Sequence, residues 1–295
     1  MIRDIFQGIA VCIHVLLTLF PRLRPDLSDE KRLTPKPAPI LRAADHHDDG
    51  KHHLLLAATG SVAAIKIPLI IEALGKHRDL SIRLLLSHSA AKFLHSQSAE
   101  QPSLASIAAL PNVDGIYFDE DEWRKAWVRG DSILHIELRR WADLMIIAPL
   151  SANSLAKISQ GFSDSIITSV VRAWDHSGLI DGARPGVTLP YPPSLPVSEL
   201  EKLPEQFRQG RKGIIVAPAM NTAMWTHPIT AKQITVLEEW GVERGGWVEV
   251  LRPIEKTLAC GDTGSGAMRD WKEIVSVVED RLRLGSKDEV LMDTA

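Results

Sequence analysis

Residues 54–62, Leu54-Leu55-Leu56-Ala57-Ala58-Thr59-Gly60-Ser61-Val62, join an uninterrupted apolar run to a small polar turn. Five successive apolar residues without polar alternation fit a strand buried on both faces, as in a parallel sheet. Thr59-Gly60-Ser61 ends that strand, and 62–76 predicts a helix. Strand, glycine-containing turn and helix form the first half of a βαβ unit. The start of such a helix offers free backbone N–H groups and the positive end of a dipole, which suits a phosphate. Ser61 adds a hydroxyl. Many β–α turns carry Gly and Ser for tight geometry alone, so this turn by itself leaves both readings open.

The alternation continues along the chain. Strands are predicted at 82–86, 115–118, 144–148, 213–217 and 247–251. Helices are predicted from about Ala90, after Ser154 to 160, and at 164–174, 228–240 and 271–284. Strands alternating with helices imply one doubly wound parallel sheet covered on both faces, an α/β fold of flavodoxin-like, Rossmann type. Ligands of such sheets bind beyond the carboxyl ends of the strands. Three of those ends are polar and irregular: Thr59-Gly60-Ser61, the segment from Pro149 to Ser154, and the segment from Pro218 to Asn221.

The 295 residues are 45% hydrophobic and 24% charged, an ordinary globular composition that excludes a wholly disordered, collagenous or coiled-coil chain. A net charge of −3 gives no electrostatic footprint for nucleic acid. Two cysteines, Cys12 and Cys260, cannot build a disulfide framework or a four-Cys zinc site, so a reducing, cytoplasmic setting is expected. Residues 8–20 are apolar but too few for a membrane span, which needs about 20. That length suits a signal h-region, yet no small-residue cleavage site follows and the preceding residues are not strongly basic; targeting is the minor alternative.

Residues 1–51 are therefore read as a poorly ordered extension and linker. Its end, Asp45-His46-His47-Asp48-Asp49-Gly50-Lys51-His52-His53, is read as a solvated tether rather than a metal site, since nothing fixes a ligand geometry. The domain runs over 52–284, interrupted at 176–212 by a Pro- and Gly-rich stretch expected to be an exposed insertion loop with one short helix near 197–207. Residues 285–295 form a short tail.

Several segments together resemble one family: Ala57 to Lys66, His135 to Asp143, Ala148 to Lys157, Pro218-Ala219-Met220-Asn221-Thr222-Ala223-Met224-Trp225, and Leu258 to Met268 with Cys260 at the front of a glycine-rich loop. They resemble the homo-oligomeric flavin-containing Cys decarboxylases of the phosphopantothenoylcysteine decarboxylase type, over about 52–284 apart from the insertion. The resemblance implies bound FMN, a homotrimer, and conversion of 4′-phosphopantothenoylcysteine to 4′-phosphopantetheine in coenzyme A synthesis. The chemistry is coherent. An N-acylated cysteine cannot readily lose CO₂, because the carbanion has no electron sink. Oxidising its CH₂–SH to a thioaldehyde places the carboxylate β to a C=S group, and CO₂ loss then leaves a delocalised enethiolate. A flavin can take the electrons and return them.

On this resemblance, Gly60, Ser61 and Val62 match the flavin-phosphate turn, and Ser151, Ala152 and Asn153 match a second FMN loop. Ser87 and Ser89 occupy a further flavin-contacting turn, with His88 where the family more usually has Lys. Helix N-capping is the alternative for Ser151 and Asn153. His135 matches the catalytic histidine, a residue suited to proton transfer near neutral pH. Cys260 is placed to donate a proton from a loop able to close over substrate. Asn221 and Met224 match the substrate-contacting segment, with core packing the alternative for Met224. Arg140 is a candidate anion contact, with an ion pair of purely structural role as its alternative.

Two further readings come from other classes. Some fungal relatives act as inhibitory regulatory subunits of a Ser/Thr protein phosphatase, with long acidic tails and sometimes without the cysteine. Here the final 11 residues hold three acids, and both His135 and Cys260 are present. The other reading is decarboxylation of a peptide's C-terminal cysteine, against which the insertion and the Leu258-Ala259-Cys260-Gly261-Asp262 loop argue. A paralogous subunit in the oligomer is left open.

Overall fold

The computed structural model describes residues 38, 40–257 and 263–285. The 8–20 segment, most of the N-terminal extension and the catalytic candidate Cys260 lie outside the described residues.

Strands β1 (His52–Ala58), β2 (Leu80–Leu86), β3 (Val113–Tyr117), β4 (Leu144–Leu150), β5 (Gly213–Pro218) and β6 (Val248–Val250) form one six-stranded sheet in the order β3-β2-β1-β4-β5-β6. Every neighbouring pair is parallel. The expected flavodoxin-like, Rossmann-type doubly wound sheet is therefore present. The order reverses between β1 and β4, which makes the carboxyl ends of these two strands the switch point.

The apolar runs divide cleanly between the two faces. Leu54, Leu56 and Ala58 join the core that holds Ile67, Ile70, Ile71 and Leu74 of α1 (Ile67–Leu74). Leu55 and Ala57 join the opposite core with Leu138, Trp141, Leu155 and Ile234. A period of two on a strand covered by helices on both sides requires this unbroken apolar sequence. The predicted 62–76 helix is shorter: a 3₁₀ turn at Val62–Lys66 precedes α1. Pro68 is the reason, because it lacks an N–H and fits only the first turn of an α-helix.

Among the described residues outside the insertion, the remaining α-helices are α2 (His88–Ala91), α3 (Leu104–Ala108), α4 (Asp119–Glu122), α5 (Leu134–Trp141), α6 (Ala152–Ser159), α7 (Ile166–Arg172), α8 (Thr222–Trp225), α9 (Pro228–Glu239) and α10 (Trp271–Leu282). An antiparallel arm of β7 (Ile254–Thr257) and β8 (Thr263–Ala267) brackets the Cys260 segment.

Two sequence expectations are corrected. The part of the N-terminal tether that the structure describes is packed, not free. Ala38 and Leu41 are buried in the second core, and the Ala43 N–H donates to Glu137 Oε2 at 2.7 Å. His53 stacks on Trp141 at 4.3 Å, and its ring nitrogens meet Trp141 O at 2.8 Å and Asp49 Oδ2 at 2.9 Å. Burial pushes the His53 imidazole below its ordinary pKa. The His/Asp run thus supplies folding contacts.

The insertion is likewise anchored. Buried Arg184 donates to Asp143 Oδ2 at 2.7 Å and to the carbonyls of Lys51 and His46. The buried Asp175 carboxylate collects N–H donors from Ser177, Gly178, Ile180 and Asp181. Burial alone would raise this carboxyl, but those donors outweigh it and hold it below the ordinary value. Tyr191 reaches the main core, and its main chain exchanges both hydrogen bonds with Arg211. In place of the one short helix expected near 197–207 there are two separate turns, Val197–Leu200 and Glu205–Phe207. At the insertion's end, buried Lys212 donates to the carbonyls of Arg139 and Arg140 at 3.1 and 2.8 Å, capping the carboxyl end of α5.

Candidate active site

The polar strand ends predicted from the sequence meet at one end of the sheet. Thr59 stitches the switch point together. Its N–H and hydroxyl both donate to Pro149 O at 3.0 Å, and its Oγ1 accepts the Ser151 N–H at 2.7 Å. One buried hydroxyl therefore fixes the Gly60 turn against the Ser151 loop. The second turn comes just as close: a Cβ added at Gly60 would sit 2.7 Å from Ser89 Cβ. Only glycine lets the turns after β1 and β2 touch.

Around this junction lie exposed or half-buried donors. Gly60 and Val62 are exposed and Ser61 is half-buried at the start of the 3₁₀ turn. The first N–H groups of that turn have no partner within it, as at any helix start. Ser89 is exposed, while Ser87 Oγ accepts the Ala90 N–H at 3.1 Å and caps α2. Ser151 Oγ accepts the Ser154 N–H at 3.3 Å, so the capping role is real; Ala152 and Asn153 open α6 beside it. His88 pairs with Glu120 at 3.4 Å on the rim, both largely exposed.

The segment after β5 closes another side. Asn221 Oδ1 accepts the Met224 N–H at 2.8 Å and caps α8, which leaves its amide NH₂ available to donate. Met224 is 46% exposed, so core packing does not account for it. The β7–β8 arm docks on this segment. The Met220 N–H donates to Gly266 O at 3.0 Å. A Cβ on Gly266, whose φ is +123°, would lie 2.6 Å from Met220 O; one on Gly264 would lie 2.6 Å from Thr222 Oγ1. These glycines allow the strands flanking Cys260 to lie against the Asn221 segment.

His135 occupies the first turn of α5, at the end of that helix nearer the strand ends, and is 26% exposed at its side chain. Its Nδ1 lies 3.1 Å from Glu122 Oε1, and its N–H donates to Glu122 Oε2 at 3.0 Å. The loop between α4 and α5 exposes Trp123, Trp127, Val128 and Ile133.

Arg140 is not brought to this place. It stands at the far end of α5, whose last carbonyls meet Lys212 and His53 at the amino ends of β5 and β1. Its guanidinium pairs with Glu137 at 3.1 Å. A two-turn helix separates its ends by about 11 Å, and the Arg140 side chain is 53% exposed there.

Two residues escaped the sequence reading. Thr59 was visible only as part of a turn. Glu122 was visible only as one acid in the run Asp119–Glu122 after a strand. A carboxylate closely upstream of a candidate base was the signal for it, but the pairing needs the fold.

The donor set suits a phosphate and a polar ring edge, and the three turns form a cradle too tight for a side chain at Gly60. A family model described as Flavoprotein matches residues 42–283. The chain is 39% identical over 229 residues to an Arabidopsis thaliana protein named probable phosphopantothenoylcysteine decarboxylase, covering 77% of this chain and 87% of that one. It resembles a solved PPC decarboxylase cysteine-to-serine mutant complexed with pantothenoylaminoethenethiol, with TM-score 0.56, 35% identity, and coverage of 78% of this chain and 97% of the other. It also resembles the structure titled the FMN binding protein AtHal3, with TM-score 0.54, 36% identity, and coverage of 78% and 95%. Two fungal relatives are much longer, and the chain spans 32% and 36% of their lengths.

Proposed function

The chain belongs to the flavoprotein family, and within it we propose an FMN-dependent decarboxylase that converts 4′-phosphopantothenoylcysteine to 4′-phosphopantetheine. The observation that carries the reading is the convergence of the Gly60 cradle, the Ser151 loop, His135 and the Asn221 segment at the carboxyl ends of the strands.

In this reading Gly60, Ser61, Val62, Ser87, Ser89, Ser151, Ala152 and Asn153 hold FMN. When bound, the flavin supplies reversible two-electron chemistry at the substrate's CH₂–SH carbon. His135 takes the thiol proton on Nε2. The free Asn221 amide donates to the substrate carboxylate and orients it until CO₂ leaves, while Met224 packs against the same end of the substrate. Cys260 delivers a proton to the enethiolate carbon. The enethiol in the solved mutant relative is the type of compound expected to accumulate when that last proton is withheld.

We also propose a homotrimer in a reducing, cytoplasmic setting. Trp123, Trp127 and Val128, exposed in the loop that leads into α5, favour contact between copies. Two cysteines in 295 residues favour the compartment.

The purified protein is expected to be yellow, to release FMN on heating, to liberate CO₂ from phosphopantothenoylcysteine, and to scatter light as a trimer. FAD in place of FMN, or no CO₂, sinks the enzymatic reading; an active flavin-loaded monomer sinks the assembly. A second expectation follows from the cradle. Gly60→Ala forces the first two turns apart, and overpacking of this kind costs about 1–3 kcal/mol. That corresponds to roughly five- to 150-fold weaker FMN binding by fluorescence titration. An unchanged affinity removes the Gly60 turn from the flavin site.

A further inference from the structure

The four acids of α4 have separate partners. Asp119 Oδ1 accepts the Ile166 N–H at 2.8 Å, Asp121 accepts the Phe118 N–H and pairs with Arg124, and Glu120 faces His88. Glu122 alone meets His135. Its side chain is 8% exposed, so its carboxylate needs donors.

His135 supplies two, and their types settle the proton. The backbone N–H that meets Oε2 can only donate. A carboxylate can only accept. Oε1 therefore requires a proton on Nδ1 of the ring. That leaves the lone pair on Nε2 and turns it away from Glu122. The bond to Oε2 also caps the His135 N–H in the first turn of α5, so ring tautomer and helix start are fixed by one group.

We propose that Glu122 is the positioning residue for His135: it sets the tautomer in which Nε2 accepts a proton from substrate, and it orients the ring. This rests on His135 being the base in the reading above.

Glu122→Gln tests it because the change is isosteric but not equivalent. Glutamine has one acceptor oxygen. Bound in the same pose, it gives that oxygen to the backbone N–H and presents its NH₂ to Nδ1. Nδ1 must then accept, which moves the proton to Nε2 and blocks the base. Glu122→Asp is one methylene shorter but keeps two acceptors.

In the FMN-loaded enzyme, E122Q is expected to lower kcat by about 10²-fold, near the lower range for general-base effects. KM should stay within about threefold, since the lost interaction belongs to the reacting state. Substrate-driven bleaching of the flavin absorbance should slow by the same factor. E122D should be faster than E122Q, whereas a purely structural role would favour the isosteric glutamine.

His135→Asn in the same assay separates the two layers. An inactive H135N with E122Q turning over within about threefold of wild type overturns the role of Glu122 and leaves the reading of His135 standing. A fully active H135N overturns both. Loss of FMN or of thermal stability in E122Q assigns Glu122 to the fold and overturns the proposal.

Discussion

His135→Asn is expected to bind FMN normally and to release almost no CO₂ in a single turnover. Asparagine can still donate to Glu122 from its amide, so the start of α5 keeps its cap. What disappears is Nε2, the ring nitrogen not held by Glu122. A general base typically contributes about 10²- to 10⁴-fold. Because that loss falls on proton removal, the flavin should also stay oxidised when substrate is mixed in. Gas release and flavin absorbance recorded together check both points. A normal rate of CO₂ release by H135N would show that this histidine is a half-buried structural residue and that the base lies elsewhere.

The second large effect concerns the end of the reaction. Cys260→Ser is expected to release CO₂ but to stall with reduced flavin and an enethiol product. Serine is close in size, so packing should survive, yet its hydroxyl is a far weaker acid than a thiol with an ordinary pKa near 8.5. The strands on either side of the Cys260 segment pair with one another and dock on Met220 through Gly266. That docking ties the segment's two ends to the substrate-contacting loop. Mass analysis of the product from a single turnover distinguishes enethiol from phosphopantetheine. Ordinary phosphopantetheine formation by C260S removes the cysteine from the mechanism.

The two variants act at opposite ends of one sequence of steps, so their combined pattern carries more than either alone. CO₂ should be missing in the first and present in the second. Reversal of that pattern would place the cysteine before decarboxylation and the histidine after it.

The sequence by itself determined the sheet, its strand ends and most of the loops around the candidate site. An all-apolar strand such as Leu54-Leu55-Leu56-Ala57-Ala58 can be buried only between two layers, so the run dictates the fold class. The turns after β1, β4 and β5 were legible because Gly, Ser and Asn at strand ends serve a local geometric need, written in adjacent residues. The tertiary structure decided everything that depends on a partner far along the chain. Gly60 is required because Ser89 stands against it, and Thr59 matters because Pro149 and Ser151 lie across the switch point. The polar 45–53 run and the Pro-rich insertion looked like solvated chain, since polarity is what composition reports. In the fold, Arg184 of the insertion finds Asp143, and His53 finds Trp141. Burying a charge or an imidazole is favourable only when its partner arrives at hydrogen-bonding distance, and a parallel sheet brings such partners from 40 to 90 residues away. Arg140 shows the converse. Its type invited an anion, and packing set it toward the far end of α5, half exposed beside Glu137. Residue type is local information, whereas the direction in which a helix carries it is set by packing.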